Sequence, residues 1–236
     1  MRPFVVISAL IVAAAPSLHA QKLAFDLGFV DATGNSDVTN FNLGEKLTWK
    51  LDGAGRWAFT QGAKMLYGET GGSRSTESYD VNGRLEYALS PRIGTFGFVA
   101  FQRDPFAGVA SRWSAGPGVA IGLLRGPRDT LGLEVAITSQ RERSTAGVSR
   151  SFAATRTAAL FKHAFATTAF FTQGLEWLAN LETSDDYRLN SESAVTAPIS
   201  KQIALRLAYL IRFDNLPEPG FEKTDRILTT GVQIAM

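Results

Sequence analysis

Apolar residues recur at every second position along most of this chain, and that period decides what the chain can build. Phe41, Leu43, Leu47, Trp49 and Leu51 alternate with Asn40, Asn42, Lys46, Thr48 and Lys50. Trp57, Phe59, Ala63, Met65 and Tyr67 continue the pattern, and Tyr79, Val81, Leu85, Tyr87 and Leu89 repeat it against Ser78, Asp80, Asn82, Arg84 and Glu86. Leu131, Leu133, Val135 and Ile137 follow, as do Ile203, Leu205, Leu207, Tyr209, Ile211 and Phe213. Residues two apart share one face of a pleated strand, whereas a helix needs spacings of three and four. The expectation is an all-β chain.

Gly, Pro, Asn, Asp and Ser cluster between these runs, for instance in Thr33-Gly34-Asn35-Ser36-Asp37 and Gly126-Pro127-Arg128-Asp129. Such residues accept turn dihedrals. They divide the chain into about twelve strands: 22–32, 38–51, 56–70, 77–90, 93–104, 111–124, 130–140, 150–161, 164–180, 187–198, 201–214 and 226–236. The fifth, eighth and ninth alternate poorly. Soluble β-sandwiches and lipocalin-like barrels also alternate. Strands of this length instead match a tilted crossing of a bilayer, and an even count with a charged polar face fits a transmembrane barrel. With both termini in the periplasm, the inner turns fall at 52–55, 90–92, 125–129, 162–163 and 199–200. The outer loops fall at 71–76, 105–110, 140–149 and 215–225 and are expected to be longer. The reading is an up-and-down antiparallel transmembrane β-barrel over residues 21–236. Its last strand keeps the alternation through Leu228, Thr230, Val232, Ile234 and Met236, with Met where a terminal aromatic is usual.

Such a barrel must be exported, and residues 1–20 read as a signal peptide. Arg2 supplies the charge, Phe4 to Ala15 is apolar except for Ser8, and Pro16-Ser17-Leu18-His19-Ala20 ends in a cleavage site after about Ala20. Leu18 is bulkier than usual at its position. The alternative is a membrane anchor, but the apolar run falls short of the roughly 20 residues a spanning helix needs. Without Arg2 the chain carries 23 Lys and Arg against 22 Asp and Glu, so nothing suggests nucleic-acid binding. It has no cysteine, which excludes disulfides, thiolate metal sites and a cysteine nucleophile.

Several runs carry a family resemblance. Gly28-Phe29-Val30-Asp31-Ala32-Thr33-Gly34-Asn35-Ser36-Asp37-Val38-Thr39, leading into Asn42-Leu43-Gly44, resembles the opening hairpin of the salt-induced outer membrane protein family, also called domain of unknown function 481. Arg103-Asp104-Pro105-Phe106, Arg112 and Gly116-Pro117-Gly118-Val119 resemble its central hairpin, and Leu131-Gly132-Leu133-Glu134 and Lys223-Thr224-Asp225 also fit. The resemblance covers residues 22–236. It implies a bacterial outer-membrane barrel with no established activity, and it transfers no catalytic residue.

The inventory for catalysis is thin, and no catalytic, cofactor-binding or metal site is expected. His163 is placed in an inner turn with no nucleophile beside it. Gly116-Pro117-Gly118-Val119-Ala120-Ile121-Gly122 lacks the Lys-Ser/Thr of a phosphate loop; glycines in barrel strands more often permit close packing. Thr183-Ser184-Asp185-Asp186 reads as a hydrated loop, with calcium binding as the alternative. The polar face holds the functional question. If the apolar face meets lipid, Lys46, Lys50, Lys64, Asp80, Arg84, Glu86, Arg103, Arg112, Glu134, Glu176, Glu192, Arg206, Arg212 and Asp214 line the lumen. Buried charges must be paired or wet. They therefore either lock into a plug, giving an envelope-structural barrel, or line a narrow channel for small polar solutes. Glu45 falls on the lipid side, a conflict that a β-bulge near Gly44 would remove. The competing classes are a lipid-modifying outer-membrane enzyme and a surface receptor or adhesin. The expected partners are outer-membrane lipid, the barrel-assembly machinery and small polar solutes.

Overall fold

The structure, a computed structural model, describes residues 22–32, 38–167, 169–200 and 203–235. The signal peptide expected over 1–20 lies outside the described residues, as do the Thr-Gly-Asn turn at 33–37 and Met236. Twelve strands follow in chain order: β1 Lys22–Ala32, β2 Val38–Lys50, β3 Trp57–Thr70, β4 Ser73–Ala88, β5 Ile93–Asp104 and β6 Val109–Arg125. The second half comprises β7 Asp129–Ser144, β8 Ser149–Ala164, β9 Phe170–Asn180, β10 Tyr187–Pro198, β11 Ile203–Asp214 and β12 Thr224–Ala235. A single-turn 3-10 helix, Pro105–Ala107, joins β5 to β6. Every strand pairs antiparallel with its sequence neighbours, and β12 returns to β1 through Ala24↔Ala235 and Phe25↔Ile234. Closure removes both sheet edges, which a membrane interior demands because water cannot satisfy unpaired backbone groups there.

The alternation sorts side chains by size as well as polarity. Ile137, Leu205 and Leu228 point outward and are 62%, 53% and 64% exposed, whereas Ala136, Ala154, Ala194 and Ala208 inside are at most 3% exposed. A soluble protein would bury its large apolar groups; here a continuous belt of them faces out, which only lipid stabilises. Aromatic pairs bound the belt. Trp49–Phe59 and Trp57–Tyr87 lie near the end that carries the termini, called here the terminal end. Phe101–Trp113 and Tyr187–Phe213 lie near the opposite, loop end. Amphipathic rings favour both interfaces of a bilayer. On β7 the belt stops after Ile137: Ser139, Arg141 and Arg143 continue the outer face, so this strand extends past the lipid.

That extension corrects the loop reading. The turn predicted at 71–76 shrinks to Gly71-Gly72, and the loop predicted over 140–149 shrinks to 145–148, because β4, β7 and β8 run on as paired strands. Loop-end connections are therefore not uniformly longer than terminal-end ones. The exception is 215–223. The turn expected at Lys162-His163 also moves, since β8 continues to Ala164 and β9 begins at Phe170. No bulge occurs at Gly44: it pairs Asp26 and Lys64 in unbroken register, and Glu45 pairs Phe25 and Ala63.

The Gly116-Pro117-Gly118 run serves packing. Pro117 has no N–H to give the ladder, and pairing with β7 lapses between Ala115↔Ser139 and Gly118↔Ala136. Gly118 leaves the space that the inward ring of Phe96 occupies. Arg84 lies over that ring, 3.7 Å from its centre.

Candidate functional site: the barrel lumen

Register carries the inward residues of distant strands to common levels, and their charges pair across the lumen in two tiers. The loop-end tier centres on Glu142 of β7. Arg188 of β10 grips it with Nη1 and Nη2 at 2.6 and 3.0 Å, Arg112 of β6 donates through Nε at 2.7 Å, and Arg150 of β8 through Nε at 3.0 Å. Arg188 also donates to Asp214 at 2.9 Å, and Arg112 to Gln102 at 2.7 Å. Glu142 and Arg188 keep only 7% and 8% of their side-chain surface. Three guanidinium groups on one carboxylate fill the β6–β10 side of the lumen with fully paired charge. Across the lumen, Arg212 of β11 donates to Asp104 of β5 at 3.0 Å and to Asp80 of β4 at 3.3 Å. Five strands separate β11 from β5 in either direction around the barrel, so this bridge joins opposite walls.

The middle tier is a chain of alternating charge. Arg84 bonds Glu86 at 2.7 Å and Glu134 at 2.9 Å; Arg156 bonds Glu134 at 3.0 Å and Glu176 at 2.6 Å. Asn190 donates to Glu176 at 3.1 Å. Lys64 of β3 reaches Glu192 of β10 at 3.2 Å, and Arg206 holds the same carboxylate at 2.6 Å. The Lys64 side chain is 63% exposed, so its pair is wet and worth no more than about 1 kcal/mol.

Two chambers flank the middle tier. The terminal-end vestibule, about 1070 Å³, reaches the turns at Arg56, Arg92 and Gly126 and is walled largely by small inward residues such as Ala58, Ala88, Ala120, Gly132, Ala158 and Gly174. The loop-end chamber, about 420 Å³, is lined by charged residues that include Asp80, Asp104, Arg188, Arg212 and Asp225. They meet at Arg156, Glu176, Asn190 and Leu210, which line both. Loop 215–223 closes over the second chamber, with Pro217, Glu222 and Lys223 in its lining.

Of the residues predicted to line the lumen, Lys64, Asp80, Arg84, Glu86, Arg112, Glu134, Glu176, Glu192, Arg206, Arg212 and Asp214 enter these tiers. Lys46 and Lys50 lie on the inner face of β2, exposed and without an ion pair among the described residues. Arg103 does not belong with them. It pairs with the outward Tyr79, donates to the Ala110 carbonyl at 3.2 Å and stands 3.8 Å from Glu77 on the outer wall. The error traces to β5, which carries Phe96 and Phe98 inside and Val99 and Phe101 outside, so hydrophobicity does not mark its faces.

Sequence reasoning missed Asp104, Arg150, Arg156, Asp186 and Arg188. Arg188 was legible, since it is in phase with Glu192. Arg150 and Arg156 were not: the outer face of β8 carries Ser151, Ala153, Thr155 and Thr157, too weakly apolar to show its period. Asp186, read as part of a hydrated loop, instead accepts from Asn180 at 2.9 Å and lies 3.5 Å from Arg150. Among the described residues no group of His, Asp and Glu is arranged to hold a metal. His163 sits on β8, its Nδ1 2.7 Å from Asp129 Oδ1 and its ring edge-on to Phe165.

A closed twelve-strand antiparallel barrel with an apolar belt, aromatic girdles and a charged lumen defines an outer-membrane type of β-barrel. The chain belongs to the family described as "Protein of unknown function, DUF481", which matches residues 25–235. It is 24% identical over 210 residues to the uncharacterized protein YdiY of Escherichia coli strain K12, covering 89% of this chain and 81% of that protein. Among solved structures the barrel is similar to the NanC porin, with a TM-score of 0.57 and 8% identity over 92% of this chain and all of that one. The KdgM porin in complex with disordered oligogalacturonate aligns at 0.52 with 7% identity, covering 91% and 99% of the two chains. The COG4313 outer membrane channel of Pseudomonas putida F1 aligns at 0.51 with 11% identity, covering 92% and 94%. These likenesses show a shared fold, and their barrels are porins and channels.

Proposed function

We propose that this protein is a non-enzymatic outer-membrane channel for small polar solutes, closed in the conformation seen here. The observation that carries the reading is the pair of chambers in series, separated by charged side chains and not by backbone. Twelve strands lie between the eight that side chains fill and the sixteen of open porins, so the bore is narrow. On the β6–β10 side the Glu142 cluster is buried and fixed. On the β1–β4 side the barrier includes the exposed Lys64–Glu192 pair, which thermal motion breaks readily. Solutes would pass along that second wall. Lipid surrounds the belt, and the periplasm lies at the terminal end, where the barrel-assembly machinery would receive the chain.

Planar-bilayer recording on refolded protein tests this. Small, discrete conductance steps are expected, and exchanging Arg212 for Ala should enlarge them by removing the bridge between opposite walls. A bilayer that stays electrically silent with both proteins, at any voltage or salt, would sink the channel. It would favour the second reading, an envelope-structural barrel, which the buried Glu142 cluster and the Arg212 bridge between opposite walls support.

A further inference from the structure

Three arginines cluster on one arc of the terminal-end rim. Arg56, Arg92 and Arg125 stand on three consecutive terminal-end turns and all line the vestibule mouth. Backbone bonds hold these turns side by side: Ala88 N–H donates to the Arg56 carbonyl at 2.9 Å, and Gly122 N–H to the Arg92 carbonyl at 2.8 Å. None of the three guanidinium groups has a carboxylate partner among the described residues. That contrasts with Arg84 and Arg156 deeper in the same cavity, each of which bridges two carboxylates. The acids of the same turns are engaged. Asp52 accepts the Trp57 N–H at 2.9 Å, and Asp129 faces His163.

Arg125 is moreover folded inward. Gly122 occupies an inward position of β6, and a Cβ there would lie 2.5 Å from Arg125 Nε and 3.2 Å from its Cζ. The missing side chain at Gly122 thus makes the seat for a guanidinium lying against the inner wall. An arginine released into solvent would need no such seat.

We propose that the vestibule is an anion-binding site: Arg56, Arg92 and Arg125 capture a small solute bearing carboxylate or phosphate groups at the terminal-end mouth. A planar guanidinium matches either group with two parallel hydrogen bonds, and low-dielectric walls focus the field of the rim into the mouth. The Ala and Gly walls below leave room for the body of the solute. This deepens the channel reading by naming the class of solute, and the two can fail separately.

The test is titration calorimetry of the full barrel in nanodiscs of zwitterionic lipid at low salt, with citrate and inorganic phosphate as probes and sucrose as the neutral control. Saturable binding of at least one anion is expected, with none of sucrose. Exchanging Arg92 and Arg125 together for Gln should weaken that binding by about tenfold or more, the equivalent of one lost charge-assisted contact. Gly122→Ala should weaken it less, because the new methyl only pushes aside the flexible end of Arg125. That variant keeps the test decisive if the double one fails to insert. Unchanged binding in both variants, no saturable binding of either anion, or equal binding of sucrose overturns the site. So does loss of binding in discs of anionic lipid, which would mean that headgroups occupy these arginines. Binding without conductance would sink the channel and keep the site.

Discussion

Glu142 shows how much one side chain decides in this lumen. It accepts hydrogen bonds from Arg112, Arg150 and Arg188 at once in a place that water hardly reaches, and removing it leaves Arg112 without its carboxylate and Arg150 and Arg188 to Asp186 and Asp214 alone. Breaking a buried pair by deleting one partner typically costs about 3 to 5 kcal/mol, whereas an exposed pair costs under about 1. Glu142→Ala should therefore lower stability by about 3 kcal/mol, and Glu192→Gln by far less, in urea unfolding of the barrel in lipid vesicles. Equal shifts in the two midpoints would mean that the cluster is no more structural than the wet middle tier. Charge at this scale was only half legible in the sequence. Glu134 could be placed inside because its strand alternates, and Glu176 and Glu192 because apolar residues flank them at the odd positions Leu175, Trp177 and Val195. Arg103 was misplaced and Arg156 missed because β5 is apolar on both faces and the outer face of β8 is too weakly apolar to mark its period.

Among the elements, loop 215–223 is the one whose position matters most. It rises between β11 and β12 and crosses the mouth to the β5–β6 connection on the opposite wall. There Gly108, with φ of 78°, takes a left-handed conformation that few residues tolerate. A Cβ at Gly108 would come within 3.0 Å of the Phe221 ring and 3.1 Å of Glu218, so glycine also permits the contact. The sequence marked 215–225 as a long outer loop but could not say that it folds over the lumen, since its seat is more than a hundred residues away. Shortening it by deleting 217–221 should raise single-channel conductance and leave insertion intact. An unaltered conductance would place the barrier wholly in the Arg212 bridge and the middle tier.

For the whole molecule, closure predicts a simple behaviour. All ladders are internal and the last pairs with the first, so detergent alone should not open the barrel. Unboiled protein should migrate faster on a detergent gel than boiled protein, as a compact form; a single band position in both states would argue against a closed, stable barrel. The period of two, the turn residues between runs and the outward large apolar groups are local properties, and the sequence by itself determined from them an all-β membrane barrel of about twelve strands. Which charges meet was decided by tertiary structure alone. Arg212 and Asp104, or Lys64 and Glu192, lie on opposite walls, and only the register of closure brings them to one level. The up-and-down strand order leaves Arg56, Arg92 and Arg125 side by side on the rim, because successive hairpins present their turns together.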